Sequence, residues 1–302
     1  MLSKLYFSLA FLILASLCTN AQELFESHSS RLAEQWDLND TLKGQNNLFQ
    51  VREYKPVYVL LANYTSDINQ MPFSDNPNNV VTEPVPLTNT ELKFQLSFKT
   101  KVLDKVMGKK LKGSFWMAYT QTSRWQLYNE EISRPFRETN YEPEFMYVVP
   151  TPYTIFGIHG VFAGIGINHQ SNGRGNPISR SWNRVIVQMG WETKNTTILL
   201  RPWWRIQESA EIDDNPGIEN YIGRCELLSA YSKGRHNLSM IARHSLRSGT
   251  RNRGSIQLDY AFQIWDNLKM HTQVFHGYGE SMIDFNHKQT TIGLGFSLTE
   301  WR

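Results

Sequence analysis

Beyond residue 50 the chain alternates apolar and polar side chains with a period of two. Leu92, Phe94, Leu96 and Phe98 alternate with Lys93, Gln95, Ser97 and Lys99. Ile256, Leu258, Tyr260, Phe262 and Ile264 alternate with Gln257, Asp259, Ala261 and Gln263. Ile292, Leu294, Phe296 and Leu298 alternate with Gly293, Gly295, Ser297 and Thr299. One apolar face and one polar or small face is the signature of a β-strand. By that criterion about twelve strands are predicted. They lie near 55–64, 91–103, 113–124, 140–151, 154–170, 182–193, 195–207, 219–231, 235–246, 254–265, 268–279 and 289–300. Turn residues separate several of them, as at Ser232-Lys233-Gly234-Arg235 and Trp265-Asp266-Asn267. The connection 65–90 is long, polar and proline-bearing, which predicts an external loop.

An even number of antiparallel strands suits a closed barrel, here an antiparallel transmembrane β-barrel spanning residues 51–302. Aromatics near strand ends (Trp203, Trp204, Tyr221, Tyr260, Trp265, Tyr278 and Trp301) are expected to form an interfacial girdle. A soluble β-sandwich or lipocalin-like barrel alternates in the same way; strand number, length and the near-terminal Trp301 speak against it.

The N-terminus changes the picture next. Residues 1–21 read as a secretory signal: Lys4 is its one charge, Leu5 to Leu17 is mostly apolar, and Thr19-Asn20-Ala21 is a small-residue exit with cleavage expected after Ala21. That stretch is short for a transmembrane helix. Residues 22–50 read as a poorly ordered or locally helical lead-in. An exported bacterial protein enters a membrane on strands only as a closed barrel, so the bacterial outer membrane is the predicted destination. The formal net charge of +3 falls to +2 when Lys4 is removed, which argues against a dedicated nucleic-acid binder. Cys225 is left as the one cysteine after residue 21, so the barrel is held by packing and sheet closure rather than by an internal disulfide.

Candidate chemistry concentrates in 168–184. His169 and Ser171 lie two apart, so a strand places them on one face. A turn between Asn172-Gly173 and Asn176-Pro177 returns the chain and brings Asn183 alongside. A serine beside a base held by a third group is the arrangement of nucleophilic catalysis. Taken alone, a His-x-Ser pair is weak evidence, and most such pairs are ordinary strand residues. The sequence shows no Gly-x-Ser-x-Gly elbow, no His-Glu-x-x-His motif and no phosphate loop.

The runs His169-x-Ser171-Asn172-Gly173-Arg174 and Ser179-Arg180-Ser181-Trp182-Asn183-Arg184 resemble the signature of the outer-membrane phospholipase A family. Pro135 to Pro143, Asp213-Asp214-Asn215-Pro216 and Gly277 to Asp284 resemble further blocks of that family, so the resemblance covers roughly 90–300. It implies calcium-dependent hydrolysis of phospholipid acyl esters, of phospholipase A1, A2 and lysophospholipase type. It also implies Ser171 as nucleophile, His169 as general base and Asn183 as the residue that orients it. Backbone amides at Ser171 and Gly173 are the candidate oxyanion donors. By the same resemblance, Ca2+ is held at a homodimer interface by the Ser179 side chain, the Arg174 carbonyl and, from the partner subunit, the Ser133 carbonyl. The family has an aspartate where this chain has Asn176. With an aspartate resembling Asp214, that position contributes to calcium binding in the monomer; asparagine keeps an oxygen ligand and loses a charge. Asp213 to Pro216 reads equally well as a turn. Gln121 resembles a polar residue in the family's dimer interface, with an inward-facing barrel position as the equal alternative.

Two other readings remain at this point. A non-enzymatic porin shares the strands, the signal and the girdle, but has no use for the 168–184 constellation. A soluble esterase shares the triad, but has no need of a detergent.

Overall fold

The structure, a computed structural model, describes residues 30–38, 48–106 and 113–301. The expected signal peptide, its cleavage after Ala21 and part of the lead-in lie outside the described residues.

Thirteen strands form one antiparallel sheet. They are β1 (Arg52–Glu53), β2 (Val57–Thr65), β3 (Thr90–Val106), β4 (Gly113–Trp125), β5 (Phe136–Ile155), β6 (Ile158–Ser171) and β7 (Ser181–Glu192). They continue as β8 (Thr196–Ile206), β9 (Cys225–Lys233), β10 (His236–His244), β11 (Gly254–Trp265), β12 (Leu268–Tyr278) and β13 (Lys288–Thr299). β13 returns to pair with β2, and β2 to β13 close into the expected twelve-stranded barrel. β1 only adds a two-residue pairing on β3. Closure leaves no free edge, which is what lets a sheet stand in hydrocarbon. Among the described residues no helix is long and apolar enough to cross a membrane.

The period-two alternation becomes an inside and an outside. In β6, Ile165 and Ile167 are exposed while Asn168 is buried; in β7, Trp182, Arg184, Ile186 and Gln188 are buried. The interior is charged, so each buried ion needs a partner. Lys55 pairs with Glu142 at 2.7 Å, Arg201 with Glu144 at 2.7 Å, Arg137 with Asp284 at 2.8 Å and Lys93 with Glu280 at 2.6 Å.

Hairpin ends are short on one rim and long on the other. The turn between β5 and β6 is Phe156-Gly157, both at positive φ (50° and 79°), the primed geometry that suits twisted strands. The period-two pattern predicts this hairpin earlier, between 151 and 154. Instead, β5 runs on through a register shift between Pro150 and Tyr153, which absorbs the prolines as a bulge. The segment expected over 219–231 also starts late: 218–220 is a 3-10 turn and the strand begins at Cys225.

A short helix, α1 (Arg31–Gln35), sits at the short-turn rim. The Ser30 hydroxyl caps it, accepting from the Ala33 amide at 2.9 Å. Leu32, Ala33 and Trp36 are buried against Trp116, Val148, Val161 and Phe162. The aromatic girdle needs correction. Trp204 and Trp265 are exposed, but Trp203 and Trp301 are 4% and 8% exposed and face the interior. Alternation separates the neighbours Trp203 and Trp204 onto opposite faces.

Candidate active site

β6 ends and β7 begins at the long-loop rim, joined by residues 172–180. Antiparallel register sets His169 opposite Asn183 and Ser171 opposite Ser181. All lie on the face that carries Ile165 and Ile167, so the cluster looks out of the barrel near its rim. His169 Nδ1 and Asn183 Oδ1 are 2.8 Å apart. Asn183 Nδ2 donates to Glu208 Oε1 at 3.0 Å. Glu208 follows β8 in the loop to β9; burial pushes its carboxyl above the usual range, while Arg205 pulls it back. Among the described residues, no hydrogen bond joins the Ser171 hydroxyl to His169. The two share one face two positions apart, and such contacts are commonly loose before substrate is bound.

The loop that follows the serine is pinned from inside. Asn172 is buried; its Oδ1 accepts from the Arg180 amide at 3.0 Å and its Nδ2 donates to the Ile178 carbonyl at 2.7 Å. Gly173 has φ +62°, and a Cβ there would stand 3.0 Å from the Tyr141 ring, so glycine fits both the backbone and the space. Its amide lies two residues from Ser171, where an oxyanion donor is wanted. An open groove on the outer face is lined by Phe94, Gln121, Phe136, Tyr141, Gly173 and Arg174. The Arg174 side chain donates to the Phe136 carbonyl at 2.7 Å.

The residues expected to hold a cation are drawn from three loops. Ser179 Oγ donates to Asp214 Oδ2 at 2.6 Å. Asn79, fully buried in the loop between β2 and β3, donates through Nδ2 to Asn176 Oδ1 at 3.1 Å, to the Ser179 carbonyl at 3.0 Å and toward Asp214 Oδ1 at 3.4 Å. Asn79 Oδ1 is itself buried without a hydrogen-bond partner. Hard oxygens with one carboxylate, beside an orphaned amide oxygen, are a donor set that fits calcium. Among the described residues no group of three or more His, Cys, Asp or Glu side chains is gathered for a metal. Ser133 stands apart in the loop between β4 and β5, at φ 60°, exposed.

The model of the family "Phospholipase A1" matches residues 32–298. The chain belongs to the phospholipase A1 family. It is 33% identical to the phospholipase A1 of Proteus vulgaris over 94% of this chain and 93% of that protein. It is 35% identical to that of Escherichia coli K12 over 86% and 85%. The outer membrane phospholipase A of Escherichia coli superposes with a TM-score of 0.74 at 33% identity, covering 85% of this chain and 95% of that one. An outer membrane phospholipase dimer from Salmonella typhi, solved with bound calcium, gives the same TM-score, 0.74, at 33% identity and the same coverage, 85% and 95%. The non-enzymatic barrel and the soluble sandwich both yield to these findings: the chain is a phospholipid-hydrolysing enzyme built as an outer-membrane barrel.

Two partners escaped the sequence reading. Glu208 and Asn79 reach the site from loops 25 and 97 residues away from Asn183 and Asn176, and no spacing rule links them. Gln121 is resolved as outward-facing: it shares the β4 face of exposed Met117, while Thr120 and Arg124 are buried.

Proposed function

We propose that this phospholipase cleaves phospholipid acyl esters with Ser171 as nucleophile, His169 as general base and Asn183 as the group that orients His169. The observation that carries the reading is the 2.8 Å contact between His169 Nδ1 and Asn183 Oδ1, on the outward face that bears Ser171. An amide oxygen only accepts, so Nδ1 carries the ring proton and Nε2 is the basic nitrogen. His169 Nε2 takes the Ser171 hydroxyl proton as Oγ bonds the ester carbon. The resulting oxyanion is met by backbone amides at Ser171 and Gly173. The tetrahedral centre then expels the lysophospholipid alkoxide, which receives the proton from His169. Water, deprotonated by the same imidazole, hydrolyses the acyl-enzyme and releases the fatty acid.

Placement on the outer face suits a lipid substrate, whose ester arrives from the membrane rather than from the lumen. Ser179 and the Arg174 carbonyl, with the Ser133 carbonyl of the partner subunit, are the groups that would hold calcium in a homodimer. Asn176 and Asp214 are those that would hold it in a single chain. When bound there, calcium supplies positive charge beside the oxyanion.

Fatty-acid release from phospholipid in detergent micelles tests the reading, with wild type and Ser171→Ala each assayed with calcium and with chelator. Loss on the order of 10⁴-fold or more in Ser171→Ala is expected, together with loss in chelator. Release that survives Ser171→Ala moves the nucleophile elsewhere.

A further inference from the structure

We infer that Glu208 is a positioning residue for this hydrolysis: its carboxylate holds the Asn183 amide, and through it the His169 ring, in the one donor–acceptor order that leaves Nε2 basic. The inference rests on the Ser171–His169–Asn183 reading above.

An asparagine is ambiguous as an orienting group. Its amide presents an acceptor on one side and a donor on the other, and a half-turn about its last torsion exchanges them. With Oδ1 toward His169, Nδ1 is protonated and Nε2 is free to accept from Ser171. With Nδ2 toward His169, Nδ1 must accept, the proton moves to Nε2, and the base is lost. A carboxylate in the asparagine's place has no such ambiguity, since both its oxygens accept. The structure removes the ambiguity from behind. Glu208 Oε1 lies 3.0 Å from Asn183 Nδ2. An ionised carboxylate cannot donate, so it selects the amide nitrogen and turns Oδ1 to His169, where it stands 2.8 Å from Nδ1.

The surroundings keep Glu208 available for this task. Its Oε2 is buried without a hydrogen-bond partner, with the Arg205 guanidinium 4.0 Å away. Arg205 is committed elsewhere, to Asp213 at 2.6 Å and Glu219 at 3.3 Å, so it anchors the loop without capturing the carboxylate. Glu208 also places a negative charge behind the neutral amide, on the side of the ring that becomes imidazolium.

The test is steady-state phospholipid hydrolysis by Glu208→Ala and Glu208→Gln, each alone and in an Asn183→Ala background, beside wild type and Ser171→Ala. Heat-modifiable gel mobility reports the folded barrel. Glu208→Ala should lower kcat about tenfold, by analogy with the loss seen when the outer hydrogen-bond partner of a metal-bound imidazole is removed, with KM little changed. Glu208→Gln keeps an oxygen acceptor and should recover most of kcat. In the Asn183→Ala background the Glu208 substitution should cost nothing more, because the interaction it served is already gone. An equal loss in both backgrounds, a change confined to KM, a Gln variant no better than Ala, or no loss at all overturns the inference. If Glu208→Ala does not fold, Glu208→Asp draws the carboxylate back from Asn183 and is expected to show the same kcat-only loss; full activity there overturns the inference equally. Hydrolysis that persists in Ser171→Ala sinks the underlying reading, whereas Ser171-dependent hydrolysis indifferent to Glu208 sinks this inference alone.

Discussion

At the scale of single residues, the site is a set of neutral groups standing where charges are often found. Asn183 stands where a carboxylate would hold the imidazolium more strongly, and in the proposed cation site Asn176 offers an oxygen but no charge. Among the described residues, Asp214 is the one carboxylate hydrogen-bonded to Ser179 and Asn79. Asp214→Ala should raise the calcium concentration for half-maximal activity by about tenfold or more, read from fatty-acid release against buffered free calcium. An unchanged calcium curve would assign Asp214 to loop capping, the turn reading that its Asp-Asp-Asn-Pro context equally allows. The sequence made His169, Ser171 and Asn183 legible because they belong to two adjacent strands, where a period of two and a tight return fix who faces whom. Glu208 and Asn79 were not legible: their contacts depend on how loops fold over the rim, and no local period encodes that.

At the scale of elements, alternation carried the strands almost to their ends and failed where the chain departs from it. The prolines of β5 were absorbed by a bulge rather than ending the strand, and the 3-10 turn at 218–220 delayed β9. The helix α1 left only a faint trace, since five residues hold little periodic signal; its place is set by Trp36 entering a ring of interior side chains. Trp36 meets Trp116 at 5.4 Å and Phe162 at 5.0 Å between ring centroids, and the Lys99 ammonium stands 3.3 Å over its ring. Burying that indole against the barrel wall makes α1 part of the fold rather than a leader. Trp36→Ala should cost about 3–5 kcal/mol through lost packing and the cavity left behind, measured by urea unfolding of the detergent-solubilised barrel. A loss below about 0.5 kcal/mol, the range of ordinary surface changes, would show that α1 rests on the rim without contributing to it. The hydrolysis rate of the folded variant should be unchanged, because the helix sits at the rim opposite His169, Ser171 and Asn183.

At the scale of the whole molecule, the barrel carries the proposed triad on its outward face, and one row of side chains runs from there across the open groove. Gln121 pairs in register with Tyr141, and Tyr141 with Ser171, so the three stand side by side across β4, β5 and β6. Adjacent strands lie about 4.8 Å apart, so Gln121 is roughly 10 Å from the strand position of Ser171, across the open groove. A polar side chain facing hydrocarbon is costly unless its groups are paired. Within one chain the Gln121 amide accepts from the Tyr119 hydroxyl at 3.0 Å and donates to Ser123 Oγ at 3.3 Å. Each end keeps capacity for one more bond, which a second barrel docked on this face can fill. That docking would wall the groove beside Ser171 and bring Ser133 of the partner subunit toward Ser179, so association and activity should rise together. Gln121→Leu should therefore weaken calcium-dependent dimers about three- to twentyfold, the equivalent of the 0.6–1.7 kcal/mol measured for hydrogen bonds between membrane helices. Sedimentation equilibrium in micelles reads the association, and hydrolysis measured over the same protein concentrations reads the activity. If the two curves shift by the same factor, dimerisation is the switch. If Gln121→Leu moves association and leaves specific activity flat, the groove works in a single barrel and the dimer serves another purpose.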